Sequence, residues 1–185
     1  SLTVKEISEG ELLQIQKSRD FNLTEEEYIN LISKKTASLF SCCCAVGAIS
    51  SNYTDLDDIK QFGNYLGIIF QIKDDLFDFT TNKIGKPTKS DLKTQKITLP
   101  LIHSIENSNP NDLKLIKSIL KKKKYSEFQK NQVNDFIVKY EGFEYAKQKM
   151  ILYQTKALSL LRKLPKNKSR DSIEILLDYI IERKF

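Results

Sequence analysis

The stretch Phe70-Gln71-Ile72-Lys73-Asp74-Asp75-Leu76-Phe77-Asp78 puts three carboxylates within five residues, in a segment whose other positions read as buried helix. Apolar residues recur through Ile59, Phe62, Leu66, Ile69, Phe70, Ile72, Leu76, Phe77 and Phe79. That run is too long for a strand and too broken by charge for a membrane span. Upstream, Thr54-Asp55-Leu56-Asp57 has the form of a capping box with Asp in place of Glu, which predicts a helix over 55–80. On such a helix Asp74 and Asp78 lie one turn apart on one face. Asp75 borders that face at i,i+3 from Asp78, and Gln71 extends it one turn back.

Carboxylates this close repel. Two like charges ~4 Å apart cost about 4 kcal/mol at an effective dielectric of about 20. Either water solvates them as an ordinary acidic face, or a cation sits between them. The aromatic and aliphatic flanks weigh against plain solvation. A hard divalent cation, Mg²⁺ foremost, suits clustered oxygens on one helix face. It keeps several waters and completes its shell with phosphate oxygens.

At 185 residues the chain suits one compact domain, long enough to bury roughly 70% of its unfolded surface. With 6 Gly, 4 Pro and few alternating apolar stretches, it reads as all-α. The net charge of +6 points to an anionic ligand or partner. The basic residues are spread along the chain without a helix-turn-helix, zinc-finger or RNP-like pattern, which argues against nucleic acid. Cys42-Cys43-Cys44 are consecutive and splay about 100° apart on a helix, so they form no metal cage. They read as small, buried, reduced residues of a cytosolic protein. No signal peptide or membrane-spanning run is visible, so no stable membrane insertion is expected. The sequence opens without Met inside a helical stretch, as a cloning remnant or a fragment would.

Residues 3–17 read as a helix carrying Val4, Ile7, Leu12 and Ile15, with Gly10 inside it as a point of close helix contact. Thr24-Glu25-Glu26-Glu27 is a full capping box and opens a long helix to about Ile49. Within it, Lys34-Lys35-Thr36 sets ammonium and hydroxyl donors in an apolar context, either as ligand groups or as ordinary snorkelling lysines. The run Ser41–Gly47 is small enough to admit another helix. After the acidic helix, residues 82–96 carry Gly85, Pro87 and five lysines. These lysines either meet phosphate oxygens as compact charges or simply screen the carboxylates. Further helices follow from Thr98-Leu99-Pro100, from Asn109-Pro110, through Phe128–Tyr140, over 143–164, and from Asp171 as a cap. His103, the sole histidine, has no partner at ligand spacing and reads as structural. Lys121–Lys124 at a helix end suits a solvated face favoured by the helix dipole.

Several blocks now stand in order. They are Gly10-Glu11-Leu12-Leu13-Gln14, Lys34–Phe40, Phe70–Asp78, Gly85-Lys86-Pro87-Thr88 with Ser90-Asp91-Leu92, and Lys96–Ile102. In that order the chain resembles the C-terminal part of a trans (E-type) polyprenyl diphosphate synthase, with the flavour of octaprenyl-type enzymes. The likeness spans nearly all of residues 1–185 as part of one synthase domain. It implies an all-α bundle of the isoprenoid synthase type around a deep cavity, without its N-terminal helices, and normally homodimeric. It implies Mg²⁺-dependent condensation of an allylic diphosphate with isopentenyl diphosphate. By resemblance, Asp74 and Asp78 hold the metal with Asp75 supporting, Lys35, Lys86 and Lys96 bind the diphosphate, and Thr36 and Gln71 line the carbocation region.

Two departures qualify the likeness. Lys89 stands where many members have a small residue, often Gly. The family has two Asp-rich motifs and this chain has one, because Asp55-Leu56-Asp57-Asp58 opens the same helix as the other motif instead of facing it. Little or no turnover by the chain alone is the resulting expectation, with apolar faces left uncovered. A non-catalytic regulatory subunit of a synthase is the competing reading, and a basic module for nucleic acid or a membrane surface is a third.

Overall fold

The computed structural model describes residues 1–18, 20–80, 97–122 and 124–183, apart from the side chains of Asp78 and Thr80. Among these residues all regular structure is helical. In chain order the elements are α1 (Leu2–Lys17), α2 (Glu25–Ile32), a π-helical turn (Ser33–Ala37), α3 (Ser38–Ser50) and α4 (Leu56–Thr80). Then come α5 (Leu99–Glu106), α6 (Pro110–Leu120), α7 (Glu127–Lys139), α8 (Gly142–Leu161) and α9 (Lys168–Glu182). The basic loop at 82–96, with Lys86 and Lys96, lies outside the described residues.

Local chemistry sets most boundaries. Thr24 Oγ1 accepts from the Glu27 N–H at 3.2 Å, and Glu27 accepts in return from the Thr24 N–H at 3.0 Å, so the expected capping box opens α2. Ser126 and Gln129 form a second box at α7. Asn109 caps α6, with Pro110 in the first turn. One boundary differs from expectation. Asn167, not Asp171, caps α9, accepting from the Arg170 N–H at 2.9 Å. Asp171 sits one turn further in, where its charge favours the positive end of the helix. A second difference is the π turn. The helix expected from Thr24 to Ile49 is continuous, but the Ser38 N–H reaches back to the Ser33 carbonyl, which widens one turn.

Helix α4 is the axis of the bundle, packing on α3 along one flank and on α8 along the other. Its buried stripe of Phe62, Leu66, Ile69, Ile72 and Leu76 follows the helical period. The α3 flank is close because it is built on glycine. A methyl group at Gly67 would sit 2.4 Å from the Ala37 Cα, and one at Gly63 2.7 Å from the Ser41 Cα. Close approach thus falls at residues 37–41 instead of the whole small run expected over 41–47, and Gly47 faces open space. Gly10 meets the backbone of Lys35, where an added Cβ would lie 2.5 Å from its nitrogen. That contact seats α1 on the π turn.

The cysteines depart from the buried reading. Cys43 is exposed and Cys42 and Cys44 are half-buried, because their 100° steps spread them over three faces of α3. Burial raises the Cys44 thiol above the ordinary cysteine range. Helix α1 buries only Gly10, and its apolar Val4, Leu12 and Ile15 are 62%, 67% and 70% exposed. Leu39, Val46 and Ile49 of α3 are also exposed. The uncovered apolar faces expected from the sequence are therefore present.

Candidate active site

The acidic end of α4 meets the π turn and α2 in a chain of oriented hydrogen bonds. Thr36 Oγ1 donates to Gln71 Oε1 at 2.8 Å, and Gln71 Nε2 donates to Asp75 Oδ1 at 3.0 Å. The Tyr28 hydroxyl donates to Asp75 Oδ2 at 2.6 Å. The direction is forced. Asp75 as a carboxylate only accepts, so the Gln71 amide turns its NH₂ toward it and leaves its oxygen for the threonine. Asp75 is 3% exposed, and a buried carboxylate is tolerated only with donors of this kind. Burial pushes the Tyr28 hydroxyl well above the ordinary tyrosine range, and the neighbouring Asp75 charge and hydrogen bond push it the same way. Tyr28 therefore stays a proton donor.

Asp74 looks the other way. Its Oδ1 takes the Arg183 Nη2 at 2.6 Å, and the Asp74 side chain is 41% exposed. The guanidinium lies over the rings of Phe70 and Phe77, 4.7 and 5.1 Å from their centroids. Its Nε is buried without a hydrogen-bond partner. A few turns away, Lys35 Nζ pairs with Glu11 at 2.9 Å and bonds Gln14, while Lys34 pairs with Glu9 at 2.8 Å. A small cavity of about 100 Å³ is bordered by Lys35, Gln71, Asp75, Tyr28 and Thr98. The Thr98 hydroxyl is buried there and unpartnered.

Three sequence-predicted groups, Lys35, Thr36 and Gln71, thus converge on the flank of Asp75, while Asp74 turns to Arg183. The side chain of Asp78 lies outside the described residues, as do Lys86 and Lys96. Among the described residues no three carboxylate, histidine or cysteine groups gather around one point. Mg²⁺ needs fewer, since it binds through one or two carboxylates with water and phosphate making up the rest. Asp74 fits that role, being part-exposed and already holding a cation. Asp75 fits a supporting one, with an oxygen given to each of Tyr28 and Gln71.

A family model described as "Polyprenyl synthetase" matches residues 1–137. The chain belongs to the polyprenyl synthetase family. The "Heptaprenyl diphosphate synthase component 2" of Bacillus subtilis is 32% identical over 190 residues, covering 100% of this chain and 53% of that protein. A decaprenyl diphosphate synthase from Rhodobacter capsulatus superposes with a TM-score of 0.90 at 30% identity, covering 98% of this chain and 57% of the other. A polyprenyl synthase from Caulobacter crescentus, solved with calcium and isoprenyl diphosphate, superposes at 0.89 with 29% identity, covering 99% and 57%. The chain spans a little over half the length of the relatives it matches.

Three residues around this candidate site carry little signal in the sequence. Tyr28 carried no signal beyond its place on an apolar face. Arg183 stands between Glu182 and Lys184 at the end of the last helix, with no local pattern that points to Asp74. Thr98 was quoted as part of a helix start, not as a group bordering the cavity. Tyr28 and Arg183 reach Asp75 and Asp74 across 47 and 109 positions of sequence, and Thr98 only borders the same cavity as Gln71, all beyond any local pattern. His103 stacks on Tyr145 with centroids 3.9 Å apart. Among the described residues no helix is long and apolar enough to cross a membrane.

Proposed function

We propose that this chain is the diphosphate-holding part of a prenyltransferase that joins an allylic diphosphate to isopentenyl diphosphate. The observation that carries the reading is the meeting of Lys35, Thr36 and Gln71 beside Asp75, next in sequence to Asp74, drawn from separate blocks of sequence. In that reaction the allylic C–O bond breaks and diphosphate leaves with the electron pair. The isopentenyl double bond then forms the new C–C bond, and a proton is lost.

Asp74 and Asp78 would hold Mg²⁺, which neutralises the leaving diphosphate as a Lewis acid. Lys35, with Lys86 and Lys96, supplies ammonium groups for its oxygens. The Thr36 proton is committed to Gln71, so the free lone pairs of Thr36 and Gln71 oxygen can face positive charge developing on the allyl group. Asp75, fixed by Tyr28 and Gln71, holds that end of α4 in register. Octaprenyl-type products, a pair of identical subunits and a cytoplasmic setting complete the reading.

The test is Mg²⁺-dependent binding of a non-ionising farnesyl thiodiphosphate by calorimetry, alongside turnover of farnesyl and isopentenyl diphosphates. Binding should weaken at least about tenfold in Asp74→Asn and Lys35→Ala. Turnover by the chain alone should be little or none. Unchanged binding in both variants would overturn the assignment. The Bacillus relative is named as a second component, which favours a further reading in which the chain works with a partner subunit. Activity appearing only on mixing with another synthase chain would support that version.

A further inference from the structure

A cavity of about 700 Å³ opens between the C-terminal half of α4 and helices α7, α8 and α9. Its volume falls within the roughly 300–1,000 Å³ usual for small-molecule sites. Phe77, Phe143, Met150 and Ile151 give it apolar walls, and Asn131 and Asn134 add amides from α7. Lys73 and Lys147 supply two ammonium groups. It lies on a different flank of α4 from Gln71 and Asp75, since Lys73 is about 160° around the helix from both and Phe77 about 120° from Gln71 and about 160° from Asp75.

The charge at this cavity is under-neutralised. Lys73 Nζ donates to the Ile181 carbonyl at 2.5 Å and lies 5.1 Å from the Phe77 ring centre, with no carboxylate partner among the described residues. Lys147 reaches only Glu144, at 3.5 Å, in an exposed pair that contributes little. A neutral hydrocarbon would fill the hollow and leave both cations uncompensated. A small inorganic anion would answer the charge and leave the aromatic walls wet.

We infer that this cavity binds a linear amphiphilic anion, its chain against Phe77, Phe143 and Met150 and its head between Lys73 and Lys147. Two sources share that chemistry, a prenyl diphosphate and a fatty carboxylate. The inference stands on the cavity alone and does not require the transferase reading.

Calorimetry on the 185-residue chain in EDTA, so that no divalent cation bridges a diphosphate to Asp74, tests it with four probes. Farnesyl diphosphate, laurate or both should saturate one site per chain. Saturation by the first alone assigns the site to prenyl diphosphates, by the second alone to fatty acids, and by both to amphiphilic anions in general. Farnesol and inorganic diphosphate should bind at least about tenfold more weakly. Lys147→Glu should weaken binding about tenfold or more. Ile151→Trp, which crowds the cavity from a position 53% exposed, should do the same without disturbing the fold. Lys60→Ala, far back along α4 from the cavity, should leave the affinity within about twofold. No saturable binding of either anion, farnesol binding as tightly as farnesyl diphosphate, or no effect of Lys147→Glu would each overturn the proposal.

Discussion

The Tyr28 hydroxyl holds Asp75 at 2.6 Å, tying the first turn of α2 to the acidic end of α4 across 47 positions of sequence. Both side chains are 3% exposed, so the bond forms where water cannot substitute for it. Tyr28→Phe removes the donor and keeps the ring. It should cost about 1.5–3 kcal/mol, the range for a hydrogen bond to a charged group. Urea unfolding of the purified variant checks this, and a midpoint equal to the parent's would mean that another donor reaches Asp75.

Asp74 and Arg183 set up a competition. The guanidinium occupies the carboxylate that the transferase reading assigns to a divalent cation. Arg183→Ala should therefore raise Mn²⁺ affinity by up to about fivefold, because a part-exposed ion pair is worth no more than ~1 kcal/mol. Asp74→Asn should lower it. Titration followed by electron paramagnetic resonance of free Mn²⁺ reads both directly. Weaker Mn²⁺ binding in Arg183→Ala would show that the arginine helps hold the metal site.

The glycines separate contact from propensity. Gly67→Ala would drive a methyl onto the Ala37 Cα and should destabilise by about 1–3 kcal/mol, as overpacking does. Gly47→Ala has nothing within 4 Å and lies inside α3, so it should stabilise by about 0.5–1 kcal/mol. Thermal unfolding of the pair should move in opposite directions. A shift of the same sign in both would refute the packing account of Gly67.

His103 gives a pH dependence. Its pKa is lowered chiefly by burial, against the Tyr145 ring, so the folded chain binds its proton less readily than the unfolded chain. Stability is then complete above the unfolded histidine value of about 6.5 and falls as pH drops through that value toward the lower folded one. His103→Phe should flatten the slope of stability against pH in that window. An unchanged slope would place its origin in the carboxylates.

Local signals read well in this chain and long-range ones did not. The Thr24 box was legible because a cap is satisfied within four residues. The period of α4 was legible because it runs for 25 residues. Gly10 announced a close contact, although nothing in its neighbourhood said that Lys35 would be the partner. The cap of α9 was misplaced because Asn167 and Asp171 are both competent and only the observed start of the helix separates them. The aspartates stand out by their clustering and Lys35, Thr36 and Gln71 by the order of their blocks, while Tyr28 and Arg183 meet Asp75 and Asp74 only when α2 and α9 are brought against α4.

The π turn at Ser33–Ala37 gives the rod from Thr24 to Ser50 two angular phases. One half aims Tyr28 at Asp75, and the other presents Ala37 and Ser41 to the glycines of α4. Length and angle are geared together in such a rod. Dropping one residue from the turn would rotate α2 by about 100° and draw it in by about 1.5 Å. Every helix propensity would survive, yet Tyr28 would swing away from the acidic end of α4. This segment can therefore drift freely by substitution at its exposed positions, while a change of length by a single residue would strike the site without touching any residue in it.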